Sequence, residues 1–132
     1  MTVFVDTSAL FAVLESDDAH HAAAGATWKE LLQRGRDLLT TNYVLLEVAV
    51  FLQNRLGLAA LHTFNEDLAP LLRVEWIGPR QHHAATAAVL AAGRKKLSIV
   101  DCVSFQAMRE LGVHTAFCID RHFREQGFET MP

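Results

Sequence analysis

Short apolar runs alternate with helix-patterned stretches along this chain, and no other feature limits its fold as strongly. Residues 2–5, 37–40, 72–76, 115–119 and 128–130 read as strands, the last as an edge strand. Residues 7–14, 20–33, 42–56, 58–69, 79–92, 98–111 and 121–126 read as helices. The punctuation agrees with this division. Gly35, Gly57, Gly93, Gly112 and Gly127 each follow a helical stretch, Pro70 stops another, and Pro79 suits a first turn. Asp17 or Asp18 is placed to cap the helix from His20. Strands that alternate with helices pair in parallel, so the expected fold is α/β with a mainly parallel central sheet. Ligands of such sheets bind beyond the carboxyl ends of the strands.

The chain has 132 residues, 51% of them hydrophobic, which suits one domain over 1–132 with a proper core. No apolar run approaches the roughly 20 residues that cross a bilayer. Residues 1–6 lack a basic segment and meet an acid too early for a signal peptide, so a cytoplasmic location and no membrane partner are expected. Cys102 and Cys118 have no CxxC spacing and stand in apolar stretches, which predicts buried free thiols. The net charge of −3 differs from that of a generic nucleic-acid coat, whose affinity comes from phosphate contacts. A nuclease escapes this argument, because a metal ion can hold the scissile phosphate and local basic residues its flanks.

Four acids interrupt the apolar pattern at element ends or inside a helix. Asp6 follows Val3, Phe4 and Val5; Glu47 lies within the run Tyr43 to Val48; Asp101 follows Ile99 and Val100; Asp120 follows Phe117, Cys118 and Ile119. An ionised carboxylate in apolar surroundings is costly unless it is compensated. Each has a structural alternative. Asp6 and Asp120 can cap the helices that follow them, and Ser98 with Asp101 fits a capping box. Glu47 is too deep in its helix to cap it and lies about 60° from the centre of the stripe Val44, Val48, Phe51 and Arg55, which leaves a buried ion pair with an arginine as its alternative. Brought together, four carboxylates stay ionised at neutral pH only beside a cation, and Mg²⁺ or Mn²⁺ takes oxygen donors. Phosphodiester hydrolysis is the reaction that most needs such an ion.

Other chemistries lack their residues. There is no Walker loop, no Gly-x-Gly-x-x-Gly and no His-Glu-x-x-His, and Asp6-Thr7-Ser8 lacks the second acid of an Asp-x-Asp phosphatase loop. The pairs His20-His21 and His82-His83 point about 100° apart on a helix and read as surface residues. Ser8 is in reach of Asp6, as a supporting hydroxyl or simply as helix-start chemistry. Arg94, Lys95 and Lys96 read as solvated loop charge, whereas Arg121, beside Asp120, is a candidate contact for substrate phosphate.

Four segments together resemble PIN domains, in particular the VapC-type toxins: Val5-Asp6-Thr7-Ser8-Ala9-Leu10, Thr40 to Glu47, Leu97-Ser98-Ile99-Val100-Asp101, and Ile119-Asp120-Arg121-His122-Phe123. Order, spacing and length fit over essentially the whole chain. The resemblance implies a three-layer α/β/α sandwich, a Mg²⁺-dependent (or Mn²⁺-dependent) endoribonuclease, an RNA substrate, a small VapB-type antitoxin as inhibitor, and a homodimer. It makes Asp6, Glu47, Asp101 and Asp120 the acidic site, with Asp6, Asp101 and Asp120 on the metal, Glu47 completing the shell or orienting water, and Ser8 in support. One departure stands at Cys118, where the family often has Ser or Thr two positions before the fourth acid.

Two rival readings differ in class. A catalytically inactive PIN-like module would bind RNA or protein without turnover. A phosphate-accepting signalling receiver needs an aspartate in mid-sequence after a strand and a nearby lysine at a strand end, whereas Asp101 follows a helix-start pattern and Lys95 and Lys96 precede it. The helices of residues 43–56 and 58–69 carry Leu46, Val50 and Leu61, which either pack internally or bury themselves on a second copy or an antitoxin segment.

Overall fold

The computed structural model describes residues 1–132. Five strands form one sheet: β1 (Thr2–Val5), β2 (Asp37–Thr41), β3 (Arg73–Glu75), β4 (Thr115–Phe117) and β5 (Glu129–Met131). All pairings are parallel and the order is β3-β2-β1-β4-β5. The helices are α1 (Thr7–Leu14), α2 (His21–Gln33), α3 (Asn42–Arg55), α4 (Leu58–Thr63), α5 (Pro79–Ala92), α6 (Ile99–Glu110) and α7 (His122–Glu125).

Successive strand residues point to opposite faces. Val3, Phe4 and Val5 are nevertheless all fully buried, as are Leu38 to Thr41, so helices cover both faces of the sheet. The result is the three-layer α/β/α arrangement. An aromatic cluster joins β1 to the end of the chain: Phe105 packs edge-on to Phe123 at 5.0 Å between centroids, and Phe4 lies 6.2 Å from Phe123. Cys102 and Cys118 are buried free thiols, and burial pushes the Cys118 thiol up to about 12.

The chain builds β2 and β3 on one side of β1, then crosses to build β4 and β5 on the other. The switch point therefore falls between β1 and β4, with a crevice beyond their carboxyl ends. The main-chain N–H of Asp6 still donates to the Phe117 carbonyl at 3.0 Å, which continues the β1–β4 pairing into the crevice.

Three expectations about elements are corrected. Residues 58–69 are not one α-helix: α4 ends at Thr63, a π turn spans Phe64–Leu68, and a 3₁₀ turn spans Ala69–Leu71. The Pro70 ring would clash with the carbonyl four residues back in a regular helix, and the wider turn avoids it while keeping Phe64 in the core. Leu61 and Leu68 pack partly buried against the core, whereas Leu58 is 68% exposed. Neither Asp17 nor Asp18 caps α2 through its N2 or N3 amide; the cap is His20, whose N–H donates to Asp18 Oδ1 at 2.7 Å in the preceding turn. Strand β4 stops at Phe117 rather than residue 119, because the Ile119 and Asp120 N–H groups turn to the Ser8 hydroxyl at 2.9 and 3.2 Å.

Candidate active site

The four acids line one cleft of about 230 Å³ at the carboxyl edge, together with Thr7, Ser8, Phe11, Lys96 and Ser98. Asp6 and Asp120 arrive from the ends of β1 and β4. Asp101 arrives on the first turn of α6, and Glu47 on the second turn of α3. Thr41 starts α3 by accepting from the Val44 N–H at 3.2 Å, and the Thr40 hydroxyl ties β2 to the Val5 carbonyl at 2.9 Å. The helix that carries Glu47 is thereby fixed to the strand that carries Asp6.

Capping and clustering coexist at Asp6 and Asp101, whereas Asp120 stands one residue before Arg121, the cap of α7. Asp6 Oδ2 accepts from the Ser8 N–H at 3.1 Å and from the Ser8 hydroxyl at 2.6 Å. Asp101 Oδ2 accepts from the Ser98 N–H at 3.1 Å, and Ser98 Oγ accepts from the Asp101 N–H at 3.0 Å. Asp120 Oδ1 accepts from the His122 N–H at 2.8 Å. In each aspartate one oxygen is fixed by a main-chain donor, while the other accepts no hydrogen bond from the protein. Such carboxylates are oriented before any ligand arrives.

Ser8 does more than support Asp6. It donates to that carboxylate and accepts from two N–H groups of the Asp120 loop, so one hydroxyl sets the first and fourth acids relative to each other. The departure at Cys118 thus leaves the fourth acid held, because Ser8 and the Cys118 N–H, which donates to the Met131 carbonyl at 2.9 Å, fix its loop.

The electrostatics are those of a site short of positive charge. Burial raises Asp6 to about 7, the Ser8 bonds lower it, and the charges of Asp101 and Asp120 add to the rise. Burial also raises Glu47 and Asp101 above the usual carboxylate range. No arginine or lysine forms an ion pair with any of the four. The buried arginine partner that was the alternative for Glu47 is therefore absent. The buried Thr7 hydroxyl faces Glu47 and favours its charged form without completing a well-formed hydrogen bond.

Two participants went unread in the sequence. His122 is 8% exposed, and its Nδ1 lies 2.9 Å from Asp120 Oδ1 and 3.5 Å from Asp101 Oδ2. The angles are too poor for a hydrogen bond, so the contact is one of proximity. The donor atoms of Asp101, Asp120 and His122 lie within 4.8 Å of one another, the tightest metal-ligating group in the molecule; Asp6 and Glu47 stand outside it, elsewhere in the cleft. Position next to Asp120 was the available signal, and it had been spent on Arg121. Lys96 is exposed on its loop, as its reading as solvated charge expects, and it also lines the cleft. Arg121 is exposed, with Nε 3.4 Å from Glu125. His20, His82 and His83 are exposed as expected, His82 bonding to the Tyr43 hydroxyl, whereas His21 is half-buried with Nδ1 2.8 Å from the Ala12 carbonyl.

Beside the cleft, and sharing Phe11 and Glu47 with it, runs an apolar groove that includes Tyr43, Leu46, Val50 and Ile99. Leu46 is 65% exposed and Val50 48%, so the internal-packing alternative fails for these two, whereas Leu61 is partly buried against the core. No helix is long and apolar enough to cross a membrane.

Comparison with known proteins gives this geometry a family. The family model described as PIN domain matches residues 3–129. The chain is 31% identical over 127 residues to the 23S rRNA-specific endonuclease VapC20 of Mycobacterium tuberculosis, in two strains, across 96% of this chain and 95% of that protein. The crystal structure of VapC20 from that organism, described as a Sarcin-Ricin loop cleaving toxin, matches with a TM-score of 0.83 at 30% identity, covering 98% of this chain and 99% of that one. FitAcB from Neisseria gonorrhoeae matches with a TM-score of 0.71 at 13% identity, covering 100% of this chain and 97% of that one, a likeness of fold alone. The chain belongs to the PIN-domain family, as an endoribonuclease of the VapC toxin type.

Proposed function

We propose that this chain is a Mg²⁺-dependent toxin, with Mn²⁺ as an alternative ion, that hydrolyses a phosphodiester of large-subunit ribosomal RNA in the cytoplasm. One observation carries the reading: three aspartates each present an oxygen that no protein donor engages, in a cleft whose burial and mutual repulsion raise the pKa values of Asp6 and Asp101. The all-oxygen donor set and the missing countercharge fit a hard divalent ion. Asp6, Asp101 and Asp120 would hold it. Bound there, such an ion supplies polarisation of the phosphoryl oxygen and a lowered pKa for water. Glu47 orients the attacking water from α3, Ser8 keeps Asp6 and Asp120 in register, and Arg121 meets substrate phosphate at the rim. Attack by water on phosphorus leaves a 5′-phosphate and a 3′-hydroxyl.

The partners are a VapB-type antitoxin and a second copy of the chain. Exposed Leu46, Val50 and Leu58 on α3 and α4 support protein association at that face. Size-exclusion chromatography tests the homodimer, and a clean monomer at high concentration counts against it.

The decisive experiment incubates the purified chain with intact ribosomes and with total RNA, with Mg²⁺, Mn²⁺ or EDTA, and maps the ends. The expected result is chelator-sensitive cleavage of the large ribosomal RNA with 5′-phosphate ends. Cleavage that survives EDTA, cyclic-phosphate ends, or RNA binding without turnover would each defeat the proposal, the last in favour of a binding module.

A further inference from the structure

We propose that a second hollow, adjoining the acid cleft at Asp120, seats a backbone phosphate of the RNA next to the one that is cut. The inference rests on the ribonuclease reading above and names a binding site within it. The hollow has a volume of about 190 Å³, and His20, Cys118, Asp120, Arg121, Arg124 and Thr130 line it. Asp120 lines both this hollow and the acid cleft, so a strand leaving the cleft on that side passes directly into it.

The lining chemistry selects the ligand. Two guanidinium groups and an imidazole line the hollow with the Asp120 carboxylate and the terminal residue Pro132, and guanidinium forks match phosphate oxygens. Arg124 is the least compensated of them. Its terminal nitrogen donates to the Thr130 hydroxyl at 3.0 Å, a neutral partner that orients the group without cancelling its charge. By contrast Arg34, Arg55, Arg73, Arg80, Arg94 and Arg121 each have a carboxylate within ion-pair distance. Glu125 serves both Arg94 at 3.2 Å and Arg121 at 3.4 Å, which leaves Arg121 the weaker anion site. No Phe, Tyr or Trp lines the hollow, so it offers no platform for a base to stack on. Its volume is also below the roughly 300–1,000 Å³ of pockets that take a whole small molecule. A phosphate group fits these constraints; a nucleobase does not. Lys96, with no carboxylate partner, lines the acid cleft itself, so a cation is also available beside the acids.

The test measures binding of two labelled 12-nucleotide single-stranded RNAs of unrelated sequence by fluorescence anisotropy over a KCl series. The protein is the full chain in the Asp6→Asn background with Mg²⁺ present, so that no RNA is cut. Arg124→Ala is expected to weaken both RNAs by the same factor, roughly five-fold. It should also reduce the slope of log K against log[salt] by about 0.7, the share of one phosphate contact on a single strand. Arg124→Lys should restore the slope and part of the affinity, which a merely structural arginine would not do. Arg36→Ala, beside the opposite edge of the sheet at the start of β2, should change neither. Circular dichroism of each variant verifies folding. An unchanged slope and affinity in Arg124→Ala overturns the proposal, as does weakening confined to one sequence, which would signify base reading. Cleavage by the unaltered chain with normal RNA binding by Arg124→Ala sinks the phosphate seat and leaves the ribonuclease standing; failure of cleavage sinks the ribonuclease itself.

Discussion

The two edges of the sheet treat the same residue type in opposite ways. At the amino edge Asp37 opens β2 in solvent. The Arg73 fork donates to it at 3.1 and 2.7 Å, and the Thr2 hydroxyl at 2.8 Å. The Arg73 hydrogen bonds hold that carboxyl below its usual range. At the carboxyl edge Asp6 closes β1 in the interior, without a cationic partner, and its pKa is raised to about 7. One edge is electrostatically complete. The other carries an uncompensated deficit, and that cost is the mark of a site built for something the polypeptide does not supply. Exposed pairs such as Asp37–Arg73 contribute about 0–1 kcal/mol, so completeness at the amino edge adds little. The deficit at the carboxyl edge is larger and opposes folding.

The sharpest way to break this contrast is Asp6→Asn, which removes the charge at nearly constant volume. RNA cleavage should fall by on the order of 10³-fold or more, equivalent to ~4 kcal/mol of transition-state stabilisation. Metal-free protein should meanwhile become more stable at pH 7.5, by denaturant unfolding. A variant as active as wild type would refute the assignment of Asp6.

The pH dependence is next in size. The folded pKa of Asp6 lies above the ordinary aspartate value of 3.8, so between 3.8 and about 7 the native state binds more protons than the unfolded chain. Stability of the metal-free protein is therefore fullest below pH 4 as far as this group is concerned, and it declines as pH rises to about 7. The loss from this group is on the order of 4 kcal/mol. Thermal melts in EDTA at pH 5 and 7.5 should show the decline, and Asp6→Asn should flatten it. Added Mg²⁺ should raise Tm more at pH 7.5 than at pH 5, because only the ionised site attracts the ion.

Ser8→Ala probes the coupling of the two strand ends. It removes a donor to Asp6 and leaves the Ile119 and Asp120 N–H groups without their acceptor, a cost of about 1–3 kcal/mol in unfolding free energy. Cleavage should fall along with stability, whereas Ser8→Thr, which keeps the hydroxyl, should retain much of both. The smallest effect belongs to the completed edge. Asp37→Ala should shift unfolding by about 1 kcal/mol or less and leave cleavage unchanged. A large loss of activity there would show that the two edges are not independent.

Much of this was legible from local patterns. The strands and most helices stand within a residue or two of their apolar periods, because burial on one face imposes the period directly on the sequence. The caps at Asp6 and Ser98 were legible because each closes within a few residues, as the Ser98–Asp101 box does. Residues 58–69 misled because a helical period cannot register that Pro70 forces the turn before it to widen. His122 stands two residues from Asp120, but its approach to Asp101 is made across the fold and is not announced by its neighbours.

The sequence by itself determined the alternation of elements, the parallel sheet, and acids at the ends of the apolar runs, since each of these is written within a few neighbouring residues. Only the tertiary structure decided that β4 lies beside β1 and that Ser8 spans them. It alone decided that Asp37 meets an arginine while Asp6 meets other acids. Solvation and charge pairing belong to groups that are close in space and far apart in the chain, so the crossing at the switch point, and not the order of residues, sets which carboxylates are neutralised.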